Sequence, residues 1–418
     1  MAYPTFEGRS MIQRPDLEDF RTQAREFFAR EVPAVLHGVD APVDRARAVR
    51  GALHRAGFSG VSIPESAGGR GLSADHEDIV TDEATTLAVT ADRPAVLGVN
   101  VILPALIDVG AAELVAEVGP RILSADAIAC QLFSEPDAGS DLAGVMTRAT
   151  EVDGGWRVQG QKVWTSYAHL ADFGLALVRT DPEAPKHSGL TMLLIDMNAP
   201  GVTVRPIKQM TGDGEFNEVF LDNVFVRADR LVGTVGGGWK VAGTVLGHER
   251  LAISRSGGVG VRNPISVRAL VDLVTRHDTI SVPDVQSSLL DAWMGERTAA
   301  ILSRQTTVQA RSGLPLGPET SLGKMHRTRN AFRNARLATE FGLPCGGAWI
   351  GDEYAGTAYE ILNSPGMAFG GGTDDIQRNI VAERILGLPR EQAVDPRDRR
   401  TAVGHQSSSQ STGKAGEQ

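Results

Sequence analysis

The sequence predicts an α+β protein in which a helical N-terminal domain, an antiparallel β domain and a helical C-terminal domain follow one another. Two changes in the residue pattern along the 418 residues indicate this order. Apolar residues recur at helical spacing up to about residue 126, short runs rich in Val, Thr and aromatic residues occupy about 127–232, and helical spacing then returns. A chain of this length can form two or three compact units with separate cores.

The N-terminal unit, residues 1–126, is predicted to be all-helical. One stretch, Val61 to Ala74, has glycines spaced as in a dinucleotide-binding turn. Because Pro64 follows a very short strand-like run and no βαβ unit surrounds it, we interpret these glycines as turn residues. The unit opens with apolar residues at helical intervals: Leu17, Phe20, Ala24 and Phe27.

The middle unit, residues 127–232, is predicted to be a small antiparallel β domain. Its short runs combine β-branched and aromatic residues, and Gly, Asp, Asn and Pro separate them. The strand-like runs are GWRVQGQKVWTS, LTMLLIDM, VTVRPI and EVFLDNVFV.

The C-terminal unit, residues 233–390, returns to helical periodicity after the glycines at 236–238. Its last helix is predicted to close at Gly387 and Pro389. Beyond it the sequence is charged and then rich in Ser, Gln and Gly, which leaves too little apolar surface to offset the entropy of ordering. We therefore expect residues 391–418 to form a disordered tail.

Composition limits the possible functions. The formal net charge of −9 argues against nucleic-acid binding, which requires a basic surface. The only two cysteines, Cys130 and Cys345, are too few for a disulfide framework and lack the spacing of metal ligands. The first residues do not resemble a secretory leader, and no run of about eighteen apolar residues predicts a membrane span. These observations predict a cytoplasmic protein without a metal site.

The first candidate site lies in the segment QLFSEPDAGSDLAG, which begins at Gln131. Gly139 permits a close approach of the backbone to a ligand, and Ser134 and Ser140 can donate hydrogen bonds to an anion or a heterocycle. Composition alone favours a polar turn of a β domain. About twenty residues further on, a strand-like run places Trp164 beside hydroxyl groups, which suits the stacking and hydrogen-bonding needs of a flavin.

Together these two segments resemble the middle domain of the acyl-CoA dehydrogenase family, which carries a Ser/Thr-Glu-Pro-x-Ala-Gly-Ser-Asp signature followed by a Trp-x-Ser/Thr strand. The resemblance extends over about residues 15–388 in domain order, and GEFNEVFLDNVFV resembles the family's last middle-domain strands. It implies a C-terminal four-helix bundle and an FAD cofactor. It also implies that Ser166 lies near the flavin nitrogen that accepts hydride, and Ser140 near the pyrophosphate or the substrate thioester. The implied FAD contacts are Leu132 through its backbone only, Ser134, Gly139, Ser140, Trp164 and Ser166.

The family's reaction needs a carboxylate that removes the α-proton of an acyl thioester while the β-hydride passes to the flavin. Most members place this base as the Glu of Tyr-Glu-Gly-Thr before the final long helix, but here Gly371 occupies that position. Relatives such as isovaleryl-CoA and long-chain acyl-CoA dehydrogenases place it in a Glu-Arg pair on the first long helix of the C-terminal domain. The run WKVAGTVLGHERL matches that pattern. The resemblance thus implies that Glu249 is the catalytic base and that Arg250 orients either this base or the substrate.

Helical spacing adds support for Glu249 that is separate from the resemblance. A carboxylate on a core-facing helical stripe costs free energy unless it is paired or used. Two interpretations follow, a catalytic carboxylate or a structural salt bridge to Arg250 or Arg255. The apolar residues that share its helical face are Ala242, Val245, Leu246 and Ile253.

Residues before and within the final helix complete the implied site. The backbone N–H of Gly371 is implied to bind the thioester carbonyl, and the missing side chain widens the pocket, which fits a branched or bulky acyl group. Thr373 is predicted to cap the final helix, with Asp374 and Asp375 in its first turn. By the resemblance, Thr373 and Asp375 also contact FAD.

Two departures from the family pattern concern the half of the FAD site that a neighbouring subunit supplies. The Arg-x-x-Phe-Gly segment is replaced by RHDTIS, which keeps Arg276 for FAD binding but lacks the Phe-Gly. The Gln-x-x-Gly-Gly loop is PCGG at 344–347, with no Gln. Either this half of the site is remodelled or a related partner chain supplies it. The resemblance implies a homotetramer or homodimer, or a heterotetramer with such a chain.

Three functions are compatible with the sequence. The first is dehydrogenation of an acyl-CoA or carrier-protein thioester in fatty acid or steroid side-chain metabolism, with electrons passed to an electron-transfer flavoprotein. The second is a flavin-dependent monooxygenase on the same fold, which needs no α-proton base. The third is a catalytically silent partner subunit. Glu249 favours the first, whereas the altered segments at Arg276 and 344–347 support the third.

Overall fold

The computed structural model describes residues 15–86, 93–256, 265–312, 317–342 and 352–390. Within these ranges, helices precede an eight-stranded sheet and further helices follow it, which confirms the predicted α+β fold class. The tail predicted at 391–418 lies outside the described residues. None of the described helices combines the length and the apolarity that crossing a bilayer requires.

Helices form the N-terminal part of the chain, and their apolar faces pack into a common core. Phe20, Ala24 and Phe28 are buried there, as the helical spacing requires. A π-helical turn, Gly98–Ile102, joins the fourth helix to the fifth. The helices are α1 (Pro15–Leu36), α2 (Pro42–Arg55), α3 (Ala74–Thr86), α4 (Arg93–Leu97), α5 (Leu103–Asp108) and α6 (Ala112–Ser124).

The glycine-rich segment before α3 is a turn and not part of a nucleotide-binding βαβ unit. Residues 61–63 form turns and a bend instead of a short strand, and one 3-10 turn follows at Glu65–Ala67. Gly68 has a φ of 83°, and a Cβ on Gly69 would lie 2.2 Å from the Ile63 carbonyl oxygen. Glycine is therefore required by the geometry of the turn, as the sequence indicated.

The strands are β1 (Ala129–Leu132), β2 (Arg148–Val152), β3 (Gly155–Ser166), β4 (Phe173–Arg179), β5 (Leu190–Asp196), β6 (Val202–Pro206), β7 (Phe216–Arg227) and β8 (Leu231–Val232). They form one sheet in the order β6-β7-β3-β2-β4-β5-β8, with β1 paired to β4. Most pairings are antiparallel, as predicted, but β1–β4 and β2–β4 are parallel. The chain reverses once at the β2–β3 hairpin and again between β3 and β4, and β4 therefore runs parallel to β2.

The C-terminal helices form a bundle in which one long helix packs against the five others. They are α7 (Gly238–Ser256), α8 (Val267–Arg276), α9 (Pro283–Arg311), α10 (Thr320–Gly342), α11 (Asp352–Asn363) and α12 (Asp374–Ile380). Helix α10 contacts α7, α8, α9, α11 and α12, and a π-helical turn, Val381–Ile385, extends α12. Gly387, with a φ of 67°, follows this last turn, where the sequence predicts the helix to close.

The two faces of the sheet are buried in different clusters. On one face, Leu175 and Leu177 of β4 share an apolar cluster with Val241 and Val245 of α7. On the other, Ala176 and its neighbours pack within the sheet's own second cluster. Helix α7 also contacts the π-helical turn at 98–102, α5, α9 and α10. It therefore lies at the junction of the N-terminal helices, the sheet and the bundle.

A buried ion pair holds three strands and the turn after β1 together. Lys162 of β3 is fully buried. Its Nζ donates to Glu135 Oε1 at 2.8 Å, to the Phe133 carbonyl at 3.0 Å and to the Leu177 carbonyl at 2.6 Å. Glu135 also accepts two backbone N–H groups just before β2, at 2.6 and 2.9 Å.

Burial and pairing oppose each other at these two groups. At Lys162 burial dominates and lowers the pKa to about 8, although the charge of Glu135 raises it. At Glu135 burial acts to raise the pKa, but the Lys162 charge and the hydrogen bonds to the carboxylate outweigh it and hold the pKa below its usual range. Burial opposes the charged form of both groups, so that the ion pair adds little net stability. We therefore interpret the pair as fixing the geometry of β1, β3 and β4.

The variant Lys162→Met tests this interpretation. It keeps much of the side-chain volume but removes the charge and leaves the Glu135 carboxylate buried without its cation. We expect the free energy of unfolding to fall by about 3–5 kcal/mol, measured by urea-induced unfolding. The matched control is Lys186→Met, since the Lys186–Asp141 pair is exposed and its loss costs at most about 1 kcal/mol. Equal losses in the two variants contradict a special role for the buried pair.

Candidate functional site

The turn after β1 leaves part of the first candidate segment open to a ligand. Glu135 and Ala138 form a short bridge across the turn, and Gly139 and Ser140 are exposed beyond it. A Cβ built on Gly139 would meet no atom of the described residues within 4 Å. Since the fold itself has room for a side chain at 139, the space is available to a molecule that approaches the backbone.

A β-bulge in β3 turns Trp164 away from the sheet. The register between β3 and β7 shifts between Lys162 and Thr165. Trp164 has a φ of 59°, a conformation that costs free energy in a bulky residue. Its side chain is 59% exposed and meets the ring of Phe216 edge-on, with centroids 6.1 Å apart. A strained backbone that presents an aromatic ring to solvent is typical of a ligand-binding position.

Hydrogen bonds join the turn to the bulged strand. The Val163 N–H donates to the Ser134 carbonyl at 2.9 Å, which places Ser134 next to the bulge. Ser166, at the end of β3, is half-buried. Ser134, Trp164 and Ser166 thus lie together, and an aromatic face beside hydroxyl groups fits a flavin. Leu132 is fully buried, so that its side chain is in the core and its expected contact is limited to the backbone.

Glu249 lies on α7 where this helix crosses the sheet. Val245 and Ala242, one and two turns earlier, are fully buried, and Leu246 packs against the same cluster. The side chain of Ile253 lies outside the described residues. The apolar stripe predicted for this helical face is therefore present up to Glu249.

Burial dominates the electrostatics of Glu249. The side chains of Gln131 on β1 and of Arg250 both lie close enough to its carboxyl group to act on its charge. Burial is the largest influence and raises the pKa of Glu249 above its ordinary value, although Gln131 and Arg250 both lower it. A carboxylate held in a structural salt bridge shows the opposite shift, as Glu135 does.

The raised pKa has a defined effect on stability. Between the ordinary and the raised value, the folded chain holds a proton on Glu249 that the unfolded chain has lost. The free energy of unfolding therefore falls as the pH rises through this interval. Above it, the fold bears the cost of a partly desolvated carboxylate. A carboxyl group that lowers the stability of its fold in this way is typical of a functional site.

One arginine lies near this carboxyl group, and a second lies near the first. Burial is the largest influence on Arg250 and lowers its pKa, while the charge of Glu249 raises it and that of Arg384 lowers it. Arg384 belongs to the π-helical turn that follows α12. The charge of this last helical turn therefore acts on the Glu249–Arg250 pair through Arg250.

The loop before α12 holds two successive glycines in the left-handed region. The φ angles are 67° at Gly371 and 85° at Gly372. The Gly371 carbonyl accepts a hydrogen bond from Gln377 Nε2 at 2.8 Å, and within the described part of the chain its N–H has no acceptor. Thr373 Oγ1 accepts from the Ile376 N–H at 3.3 Å, which confirms the predicted N-cap of α12.

The two aspartates in the first turn of α12 have different partners. Asp374 forms an ion pair of 2.6 Å with Lys324, which is mostly buried, and so attaches α12 to α10. Asp375 is exposed and pairs with Arg378 of its own helix at 2.6 Å. The FAD contact expected of Asp375 stays a prediction, as does that of Thr373.

Arg276 ends α8 and belongs to the helical bundle. Its Nε donates to the Asp272 carbonyl at 3.3 Å, and α8 packs against α9 and α10. The structure thus places Arg276 on the bundle, whereas the other implied FAD contacts lie on the sheet and at α12. The loop at 344–347 lies outside the described residues. The half of the site that is expected from a neighbouring subunit stays a prediction.

Sequence reasoning gives no role to two residues near Glu249. Gln131 could have been found from the alternation of β1, because it shares a face with Ala129 and Phe133. No comparable signal exists for Arg384, since its approach to Arg250 depends on how the chain returns from α12 to α7.

Curated relatives carry acyl-CoA dehydrogenase names. The chain is 36% identical over 388 residues to acyl-CoA dehydrogenase IpdE1 of Mycobacterium tuberculosis, which covers 90% of this chain and 99% of the relative. It is 38% identical over 324 residues to acyl-CoA dehydrogenase FadE34 of the same organism, which covers 77% of this chain but 44% of the relative. The chain thus spans less than half the length of FadE34 and nearly all of IpdE1.

Solved structures share the fold over nearly the whole chain. The Tcur3481-Tcur3483 steroid ACAD superposes with a TM-score of 0.74 at 26% identity, covering 92% of this chain and 100% of that one. The ChsE4-ChsE5 complex from Mycobacterium tuberculosis gives a TM-score of 0.73 at 26% identity, with the same coverage.

Family models match all three parts of the chain. The acyl-CoA dehydrogenase N-terminal domain matches residues 14–126, the middle domain residues 130–224 and the C-terminal domain residues 236–386. These segments coincide with the helices, the sheet and the helical bundle. The chain belongs to the acyl-CoA dehydrogenase family.

Proposed function

We propose that the chain catalyses the FAD-dependent α,β-dehydrogenation of an acyl-CoA thioester, with Glu249 as the base that removes the α-proton. The observation that carries this proposal is the half-buried position of Glu249 on the apolar face of α7, where burial raises the pKa of its carboxyl group although a cation lies next to it. A base whose pKa lies nearer to the working pH accepts a proton from a weak carbon acid more effectively than an ordinary carboxylate. The position of Glu249 on a rigid helix also fixes where it can act.

The loop before α12 meets a second requirement of the reaction, the polarisation of the thioester carbonyl. The Gly371 carbonyl accepts a hydrogen bond from Gln377, and this fixes the plane of the peptide group that joins Gly371 to Gly372. A preorganised backbone N–H that donates to the thioester oxygen acidifies the α-proton. The positive φ values at Gly371 and Gly372 also make a Glu side chain at 371 unfavourable, which leaves the role of base to Glu249.

Several residues of the sheet are suited to hold the cofactor. Trp164 and Ser166 offer a ring face and a hydroxyl group, Ser134 lies next to them, and Gly139 and Ser140 provide open backbone for a diphosphate. Bound FAD would supply the hydride acceptor and a route for electrons to an electron-transfer flavoprotein. The chain's own part is to orient the substrate between this surface and Glu249.

A bulky, steroid-type acyl group is the substrate class we propose. Glycines occupy 370–372, where most of the family has Tyr-Glu-Gly, so two side chains are missing from this part of the pocket. A solved relative at 26% identity is a steroid ACAD. Both observations favour a wide acyl pocket over one that fits a straight chain.

We further propose that a second family chain packs against α9 and completes the FAD site. The helix exposes an apolar stripe that includes Trp293. The Arg297 guanidinium lies over the ring of Trp293, with its Cζ 5.4 Å from the ring centroid. Exposed stripes of this extent mark protein contacts. Arg276 lies on the same bundle, and the related ChsE4-ChsE5 structure is a complex. The stripe consists of Leu290, Trp293, Met294, Ile301 and Val308.

The variant Glu249→Gln tests the assignment of the base. It should retain FAD, while the rate of anaerobic flavin bleaching by acyl-CoA, measured by stopped flow, falls about 10²–10⁴-fold. Short, branched, long and steroid-type acyl-CoAs form the substrate panel. In the native protein the rate should rise with pH through the raised pKa of Glu249, because only the ionised carboxylate accepts a proton.

The control is Glu218→Gln on β7, whose carboxylate pairs with Gln161. It should bleach at the native rate. Normal bleaching by Glu249→Gln would remove Glu249 from the mechanism. Substrate hydroxylation that depends on reduced flavin would select a monooxygenase, and a colourless chain that gains flavin on mixing with a second family member would select a partner subunit.

The variant Gly139→Val tests the cofactor surface. Because the fold has open space at 139, we expect the free energy of unfolding to change little. A ligand that approaches this backbone would be displaced, so the FAD affinity should fall at least about tenfold, with Gly139→Ala intermediate. Fluorescence titration of the flavin-free protein measures the affinity. Gly323→Val, also in open space but on α10, should bind FAD normally. Native affinity in Gly139→Val contradicts this placement.

The double variant Leu290→Glu/Ile301→Glu tests the role of α9. Buried charges oppose association, so the native oligomer should dissociate and lose FAD, as measured by analytical ultracentrifugation and the flavin absorbance. Val152→Glu, at an isolated exposed apolar position on β2, is the control and should leave the mass unchanged. An unchanged oligomer in the α9 variant would exclude this face as the interface.

A further inference from the structure

The strand β1 presents one polar side chain on an otherwise apolar face. Ala129 and Phe133 lie two residues to either side of Gln131, and both are buried in the cluster that α7 covers. The partner of Gln131 on β4 is Leu175, which is fully buried in the same cluster. An amide in such a row costs free energy unless it is hydrogen-bonded.

The carboxyl group of Glu249 lies near that amide. Helix α7 contributes Val241 and Val245 to the same cluster, and Glu249 follows one turn after Val245, so that it continues the helical face that packs against the sheet. The Gln131 side chain is close enough to the carboxyl group to lower its pKa. The preceding residue of α7, His248, places its Nε2 2.7 Å from Asp108 Oδ2, which ties the helix to α5.

An amide is suited to a carboxyl group that changes its protonation state. Its NH₂ group donates to the ionised carboxylate, and its carbonyl oxygen accepts from the protonated acid. We propose that Gln131 is a positioning residue for the reaction, which holds the Glu249 carboxyl group toward the substrate before and after proton transfer. This inference rests on the proposed role of Glu249 as base.

The charged groups around Glu249 determine how loss of Gln131 changes the pKa of this carboxyl group. Among the described residues, Gln131 and Arg250 are the side chains that lower its pKa, and Arg384 acts on Arg250. Asp108 of α5 is paired with His248. The π-helical turn at 98–102 carries no ionisable group, β4 and β5 present apolar residues to α7, and no group of α9 or α10 contributes to the shift. When Gln131 is lost, Arg250 is therefore the remaining side chain among the described residues that lowers the pKa of Glu249 against the effect of burial.

The test compares Gln131→Met with the native FAD-loaded assembly. Methionine fills the space without an amide, so the ionised carboxylate loses a donor and the pKa of Glu249 should rise by about one unit. Below the pH at which the native bleaching rate is half-maximal, the rate should fall about tenfold, and at high pH it should approach the native value. Infrared difference titration of the carboxyl C=O band, identified by its absence in Glu249→Gln, should report the same shift.

Two further variants complete the design. Gln131→Asn keeps the amide but moves it away from Glu249, because the side chain is one methylene group shorter. It should raise the pKa of Glu249 as Gln131→Met does, with native FAD content. Gln161→Met removes another glutamine amide of the sheet, the one that donates to Glu218 of β7, and should change neither titration. The role of Gln131 is overturned if the infrared titration of Gln131→Met gives the native pKa for Glu249. It is also overturned if the bleaching rate falls by the same factor at every pH. Normal bleaching by Glu249→Gln instead overturns the proposed function, and the two failures are therefore distinguishable.

Discussion

The buried ion pair of Lys162 and Glu135 is the contact on which the arrangement of the site depends. One ammonium group joins β3 to the end of β1 and to β4, and its carboxylate partner fixes the chain just before β2. Trp164 follows Lys162 by two residues, and Gln131 precedes Glu135 by four. The aromatic surface and the support for Glu249 are thus positioned by the same buried pair.

The protein contains a buried carboxylate, Glu135, and a half-buried one, Glu249, in two different electrostatic situations. Glu135 has a cation and backbone donors within hydrogen-bonding distance, so that its pKa lies below the usual range. Glu249 has an amide and a nearby cation, but burial outweighs both and raises its pKa. The same residue type therefore serves as a fixed charge in one place and, in the proposed reaction, as a proton acceptor in the other.

Much of the fold could be predicted from the sequence, because it follows from local patterns. The run GWRVQGQKVWTS forms the whole of β3, and Thr373 caps α12 as its residue type indicates. The parallel pairing of β1 with β4 was not predicted, since direction depends on connections that periodicity does not contain. Gln131 and Arg384 were also missed as neighbours of the Glu249–Arg250 pair, because these contacts join segments that are more than a hundred residues apart in the chain.

The left-handed glycines at 371 and 372 have a consequence for how such an enzyme diversifies. In the proposed mechanism the loop contributes a backbone N–H, while the proton acceptor belongs to a helix on the other side of the pocket. Substitutions in the loop at 366–370 can then reshape the acyl cavity without moving the acid–base group. In this mechanism, selectivity for the acyl group and removal of the proton depend on separate segments of the chain, so that one can change while the other stays constant.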